Sequence, residues 1–488
     1  MRTVTLVFII TIALCYVAIG QNLPAPVPDG FVDPDVNATA VIDEFTIEDY
    51  IVDDVVTFQN WNKDGDDYEP EGYENVDYII IGNLTFSNVV GGNEINEIEA
   101  NLRIMRGTTV WFALVPEHKT EGDDYVGYGD VTDVCTITFA DNYTLSCGEE
   151  AEVGEEDQQV RLEPWPDLSE YLHEDDGGGP GDPYEHYPEG MPEGSYVNGD
   201  FFAGGLIFES TGNTIEHSLL QNLLGGTLKA NAAQTRWRHG DRDARNGDCF
   251  AISMADNNTS VDLNGVEINF SIFHGICVNS TNGTLNIQEL EMPEADNIPS
   301  VISETWTGTP PEADPEEDPP PGRTGNGIYI RQGAENVINI SDSRIESNTK
   351  EGILCSPDQN EIVLVGATVT DNDGTGGIAF ISSDNNLLRI THLSHIDDNR
   401  SYGIGLNNNS SQNTVIVENN SSVDLNHKTG VLISGGAENR IGIGYDYEID
   451  LPLENSIGNC TVDENGDGGP WGGDHGILIT GNITPILC

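Results

Sequence analysis

The chain has 488 residues, with 83 Asp and Glu against 19 Lys and Arg and a formal net charge of −64. A field of that sign repels nucleic acid and anionic membranes, and it favours divalent cations, basic partners or a salty medium. At roughly 150 residues per domain the length calls for several units, unless a repeat builds one long one.

Residues 1–20, MRTVTLVFIITIALCYVAIG, carry Arg2, an apolar run, and small residues Ala18 and Gly20 before Gln21. That is the layout of a cleaved secretory signal, with an uncleaved anchor as the alternative because the run is long. No later stretch is long and apolar enough to span a bilayer, so the expected location is extracellular or at the cell surface. The mature chain keeps Cys135, Cys147, Cys249, Cys277, Cys355, Cys460 and Cys488. An odd number in an oxidising compartment leaves at least one free thiol. Sixteen Asn-x-Ser/Thr sequons, among them Asn37, Asn83, Asn142, Asn339 and Asn482, fit a glycoprotein.

Residues 21–173 hold short strand-like runs with turn signals and read as an acidic, β-rich N-terminal domain. Between 21 and 200 there are 43 Asp and Glu against 5 Lys and Arg, a net of −38. Cys135 and Cys147 flank a hairpin-like run and are the expected disulfide; Cys460 with Cys488 is a further candidate pair, and Cys249 and Cys277 lie about one repeat apart. Residues 174–200 are Gly-, Pro- and acid-rich and read as a linker.

From 201 to 488 a repeat emerges. Gly-apolar pairs begin GIYI at 327, GILC at 352, GIAF at 377, GIGL at 403, GVLI at 430 and GILI at 476. Extended back to 205 with interpolated units at 226, 249, 301 and 453, the step is about 25 residues. A second marker, Asn213, Asn336, Asn360, Asn386, Asn413 and Asn439, precedes each following apolar run; a third, Asn348, Asn372, Asn399 and Asn426, precedes the next glycine. The period is too short for a helix pair, and the runs are β-branched with alternating polarity, so strands stacking on strands are expected. Ile328, Ile330, Ile353, Cys355, Ile378, Phe380, Ile404, Leu406, Val431 and Ile433 should then point inward, making Cys355 the buried free thiol. Asparagines repeated at one turn can bond to one another from coil to coil. Residues 309–325 (TPPEADPEEDPPPGRTG) cannot bury a core and should loop out as a disordered acidic insertion.

The Gly-Ile-x-apolar and Asn-turn pattern, strongest over 325–445, resembles the right-handed parallel β-helix repeat family, the pectate-lyase-like superfamily. The resemblance implies an all-β fold, a right-handed parallel β-helix of about 11–12 coils preceded by the smaller β-rich domain. For function it implies an acidic-polysaccharide partner at most, because members bind, cleave or epimerise such chains or are inert surface proteins.

Three clusters could carry chemistry. The loops before successive repeat glycines hold Lys350, Asp373, Arg400, Tyr402, His427 and Lys428, with His274 and His475 on the same line. Stacked about 4.8 Å apart, they form one stripe. There Arg400 or Lys428 could neutralise a uronate, His427 or Lys428 could abstract a proton and Tyr402 could donate one; the plain alternative is a solvated turn. TRWRHGDRDARNGD (235–248) offers Arg236, Trp237, Arg238, Arg242 and Arg245 to a carboxylate, a sulfate or a sugar ring, or pairs internally with its own aspartates. DENGDGGPWGGD (463–474) spaces Asp463, Asn465, Asp467 and Asp474 as hard ligands for calcium, or is an acidic Gly-rich loop. The expected protein binds extracellular acidic polysaccharide, and any catalysis would be lyase- or epimerase-like. The competing expectation is a non-catalytic acidic matrix or cell-surface protein that binds calcium or mineral.

Overall fold

The computed structural model describes residues 38–59, 76–88, 97–149, 159–164, 204–223, 250–305, 325–446, 451–452, 475–480 and 486–487, apart from short breaks within these ranges. The signal segment, the 174–200 linker, the 235–248 arginine cluster, the 309–325 insertion up to Arg323 and Thr324, and the 463–474 loop lie outside the described residues.

Each regular coil contributes one strand to a front sheet and two to a back sheet. In the coil that opens at Asn326 these are Asn326–Ile330 in front, then Val337–Ser341 and Arg344–Glu346 behind. The next coil repeats them as Ile353–Cys355, Glu361–Val365 and Thr368–Thr370. Pairing is parallel and in register: Ile328 faces Ile353, Ile353 faces Ile378, and Ile404 faces Val431. Among the described residues the front sheet has 12 strands and the back sheet 21. A strand that returns through a crossover to pair in parallel does so right-handedly. The chain is therefore a right-handed parallel β-helix.

Of the interpolated coils, the one at 249 is present in the front sheet as Phe250–Met254, and the other three are absent from it. Leu206 pairs directly with Ile252, Ile276 with Ile328, and Val431 with Ile477. Units expected at 226, 301 and 453 thus start no front strand. Val301–Ser303 is instead the third strand of the coil that begins at His274. The count still reaches 12 because Leu84–Phe86, Glu97–Ile98 and Ile137–Phe139 join the same sheet. Those strands belong to the expected N-terminal domain, and Ile137–Phe139 pairs with Leu206–Phe208 across the expected linker. Their side chains enter the same hydrophobic core, where Phe86, Phe139 and Phe208 stack at 5.1 and 5.5 Å.

Inward positions fall as the alternation requires. The residues from Ile328 to Ile433 named above are all buried, each contributing about 1.5–3 kcal/mol. Asn348, Asn372, Asn399 and Asn426 form one continuous ladder, each Nδ2 donating to the next Oδ1 at 2.9 Å. A second runs through Asn336, Asn360, Asn386, Asn413 and Asn439 at 2.9–3.4 Å. Each Oδ1 also accepts a backbone N–H from the preceding coil, for example Asn372 N–H to Asn399 at 3.2 Å. The ladders give the asparagine amides partners from coil to coil, so these side chains can be buried.

Cysteines divide as burial dictates. Cys355 is a buried free thiol as expected. Cys147 is free as well, which corrects the expected bridge to Cys135. It lies in the strand Leu145–Glu149, facing the core with its Sγ 3.4 Å from Ser218 Oγ, and burial pushes its thiol up to about 12. Cys277 is also free and buried, so a bridge from Cys249 is not made.

Candidate functional site

Lys350, Asp373, Arg400, His427 and Lys428 occupy the turn that leads into the front sheet. Backbone bonds pass from one such turn to the next: Lys350 N–H to Gly325, Gly374 N–H to Lys350, Arg400 N–H to Asn372, His427 N–H to Asn399, and Lys428 N–H to Ser401, at 2.8–3.0 Å. These bonds stack the turns into one edge of the helix. Arg400, His427, Lys428 and Asp373 are exposed and Lys350 is half-buried. Arg400 Nη1 pairs loosely with Asp373 Oδ1 at 3.7 Å, and both side chains are half exposed, so water screens the pair.

Tyr402 does not stand out among the cations. Its ring lies down on the front sheet over Gly376 and Gly405: a Cβ built on Gly405 would come within 2.2 Å of Tyr402 Cε2, and one on Gly376 within 2.5 Å of Cδ2. The phenol accepts a hydrogen bond from Asn407 Nδ2 at 2.5 Å. Burial raises its pKa, with the Glu351 charge adding to the shift while hydrogen bonds to Thr375 and Asn407 oppose it. A tyrosine held this way stays protonated and can act as a donor, not as a base.

Beside the cationic edge runs a row of positions that sequence reasoning saw only in part. The register places Phe250, His274 and Asn326 in one row, and Gly376, Tyr402, Thr429 and His475 in the continuation of it. Glu351 lies between, its N–H bonded to Asn326 Oδ1 at 3.2 Å and its carboxylate accepting from the Thr375 N–H at 3.2 Å and from the Thr375 hydroxyl. His274 Nδ1 accepts from the Asn326 N–H at 3.4 Å, and its ring sits 4.9 Å from that of Tyr329. Burial, aided by the Lys350 charge, lowers the His274 pKa to about 3, so the imidazole is neutral. The missed members, Asn326 and Glu351, were findable. Each is the residue just before a repeat glycine, the column that also gives His274, Tyr402 and His475.

Among the described residues no group of three or more His, Cys, Asp and Glu is arranged to hold a metal ion. The proposed calcium ligands Asp463, Asn465, Asp467 and Asp474 lie outside the described residues, as do Arg236, Trp237, Arg238, Arg242 and Arg245.

No protein-family model matches the sequence, and no curated protein matches it. Among solved structures the chain is similar to the A-module of the Azotobacter vinelandii mannuronan C-5 epimerase AlgE4, at 11% identity and a TM-score of 0.32, over 71% of this chain and 68% of that one. It is similar to the Dettilon tailspike protein at 11% identity and 0.36, over 84% and 55%, and to pectate lyase Pel9A at 10% and 0.22, over 76% and 81%. Strand pairing within this chain defines its class, a right-handed parallel β-helix protein. Likenesses this distant add nothing about its activity.

Proposed function

We propose that the protein binds extracellular acidic polysaccharide along the turn edge that carries Lys350, Arg400, His427 and Lys428. The observation that supports this most is the clustering of cations on one edge of a molecule whose formal net charge is −64. Stacked coils repeat a position about every 4.8 Å, so an extended glycan laid along the axis meets a new turn at nearly every sugar ring. Carboxylates or sulfates on such a chain would replace Asp373 as the partner of Arg400 at small cost, since an exposed ion pair contributes only about 0–1 kcal/mol.

Binding is better supported than catalysis. Proton abstraction beside a uronate carboxylate needs a base, an acid and a cation converging on one sugar. Here the Tyr402 hydroxyl is held by Asn407 on the sheet face, while Arg400 leans toward Asp373 on the turn. If lyase chemistry occurs, incubation with pectate, alginate or hyaluronan will produce the ultraviolet absorbance of an unsaturated uronate.

The decisive experiment compares three charge reversals for glycan binding at two salt concentrations. Arg400→Glu and Lys428→Glu should abolish binding, whereas Arg344→Glu, on a back-sheet strand beside Glu346, should leave it intact. Equal small effects at all three positions would show that these cations only relieve the chain's own negative field. In that case the second reading, an acidic surface protein that gathers calcium, is favoured by the net charge.

A further inference from the structure

Two structural sets stand out among the described sequons, with exposed Asn83 before the front strand Leu84–Phe86 and exposed Asn420 after the back strand Thr414–Val417 belonging to neither. Asn142, Asn257, Asn258, Asn282, Asn408 and Asn409 are all exposed, and all sit where the chain leaves the front sheet. Cross-coil bonds show that these turns stack: Ser210 Oγ to Tyr143 O at 2.7 Å, Asn258 N–H to Thr281 O at 2.8 Å, Asn282 N–H to Ala334 O at 2.9 Å, and Ser382 Oγ to Asn408 O at 3.3 Å. In the second set the amide nitrogen is already in use. Asn339 Nδ2 donates to Asn286 Oδ1 at 2.9 Å, and Asn286 Nδ2 in turn to Asp262 at 2.6 Å. Asn269 Nδ2 donates to Glu267 at 2.6 Å, Asn279 Nδ2 to Cys277 Sγ at 3.5 Å, and Asn419 Nδ2 to Thr391 at 2.9 Å.

We propose that the front-sheet exit turns at Asn142, Asn257 or Asn258, Asn282, and Asn408 or Asn409 are an N-glycosylated edge of the helix. The donor class is a lipid-pyrophosphate-linked oligosaccharide. Nδ2 forms a bond to the anomeric carbon, the carbon–oxygen bond to pyrophosphate breaks, the lipid pyrophosphate leaves, and the amide loses one proton. A sugar on the exit edge projects into solvent, and neighbouring acceptors in each overlapping pair are too close for both to be filled. A sugar on Asn339 would have to break the Asp262–Asn286–Asn339 ladder. Front strands of five or six residues span about 17–20 Å, which separates this edge from the cationic edge where the same strands begin. Glycans on these exit turns therefore leave the proposed polysaccharide edge uncovered. The inference rests on entry into a secretory compartment, not on the polysaccharide reading.

The test is to produce the full chain in secreting eukaryotic cells, once with its own residues 1–20 and once with an established secretion leader in their place. Secreted protein is then treated with peptide N-glycosidase in heavy-oxygen water and its peptides mapped by mass spectrometry. The heavy-oxygen tag should appear at Asn142, at Asn282 and at one residue of each pair, and not at Asn269, Asn279, Asn339 or Asn419. Asn142→Gln should remove the mass of one glycan with no change in melting temperature, whereas Asn339→Gln should lower melting and remove none. Tags on Asn269 or Asn339 in folded, secreted protein, or untagged exit turns behind the established leader, would overturn the proposal. Retention inside the cell only behind the native leader would overturn the signal reading, and the second arm would still decide the glycan edge.

Discussion

His274 shows how a single side chain couples the site to pH. It is buried and neutral, with a folded pKa of about 3 against an ordinary 6.5. The unfolded chain therefore binds a proton that the folded chain refuses. The stabilisation from this group is complete above about pH 6.5 and is lost progressively as pH falls from there toward 3. His274→Asn should flatten the acid limb of stability against pH between about 6.5 and 4, relative to the native chain; an unchanged difference across that window would show that the imidazole is not buried. Gly405 illustrates close approach. Adding a methyl there drives into the Tyr402 ring, and overpacking of this kind costs about 1–3 kcal/mol. Combined with Tyr402→Ala, the Gly405→Ala cost should largely vanish in chemical denaturation, because the two changes share one contact.

At the scale of the coil, the asparagine ladders and the inward columns can be weighed against each other. Asn372 bonds through Nδ2 to Asn399 and through Oδ1 to Asn348, and it also receives the Asn348 backbone N–H. Asn372→Ala leaves buried groups on both neighbouring coils unpaired, at about 1–3 kcal/mol each. Denaturant titration should find it among the most damaging single changes in the regular region. Cys355→Ser looks equally severe from the sequence, since it places a hydroxyl in an apolar column. The Sγ lies 3.5 Å from the Pro357 carbonyl, however, and 3.8 Å from Asn386 Oδ1. A serine hydroxyl there has an acceptor, so its cost should fall near the low end of the same range. Cys355→Val, which gives up that contact and keeps the volume, separates the packing part from the polar part.

For the whole molecule the dominant force beyond the core is self-repulsion. Carboxylates crowd one another: Glu304 is raised by burial and then by Glu267 and Glu346, and Asp397 by burial with Asp398 and Asp371 adding, against bonding to Thr370 and the charge of His395. Charges closer than a Debye length, about 8–10 Å at ordinary salt, are relieved by counterions. Ligands that prefer the folded state raise its melting temperature in proportion to their occupancy. Millimolar calcium should therefore raise melting more than sodium at equal ionic strength. Equal shifts in calorimetry would mean that screening alone is at work.

The repeat between 325 and 445 was legible because every coil obeys the same local rules. Glycine enters the strand, alternate residues face inward, and asparagine holds each turn, so the period, the columns, the ladders and the buried state of Cys355 could be read without coordinates. The cationic stripe was legible for the same reason, since a constant period fixes which turns are neighbours. Other features depend on pairing between segments distant in sequence, and only the tertiary structure decided them. A regular count placed coils at 226, 301 and 453, but parallel register is set by which strands meet, and Ile276 meets Ile328 directly. The sheets likewise cross the apparent boundary at 174–200, because the Ile137 strand finds its partner in Leu206 whatever the composition between them. Cys147 appeared paired along the chain, yet its strand turns it into the core toward Ser218. Tyr402 read as one more turn residue, and its ring came to rest on the sheet because Gly376, its register partner on the preceding coil, and Gly405, on its own strand, leave room for it. Local periodicity determines a coil; which coils become neighbours, and what covers their faces, is settled only by packing.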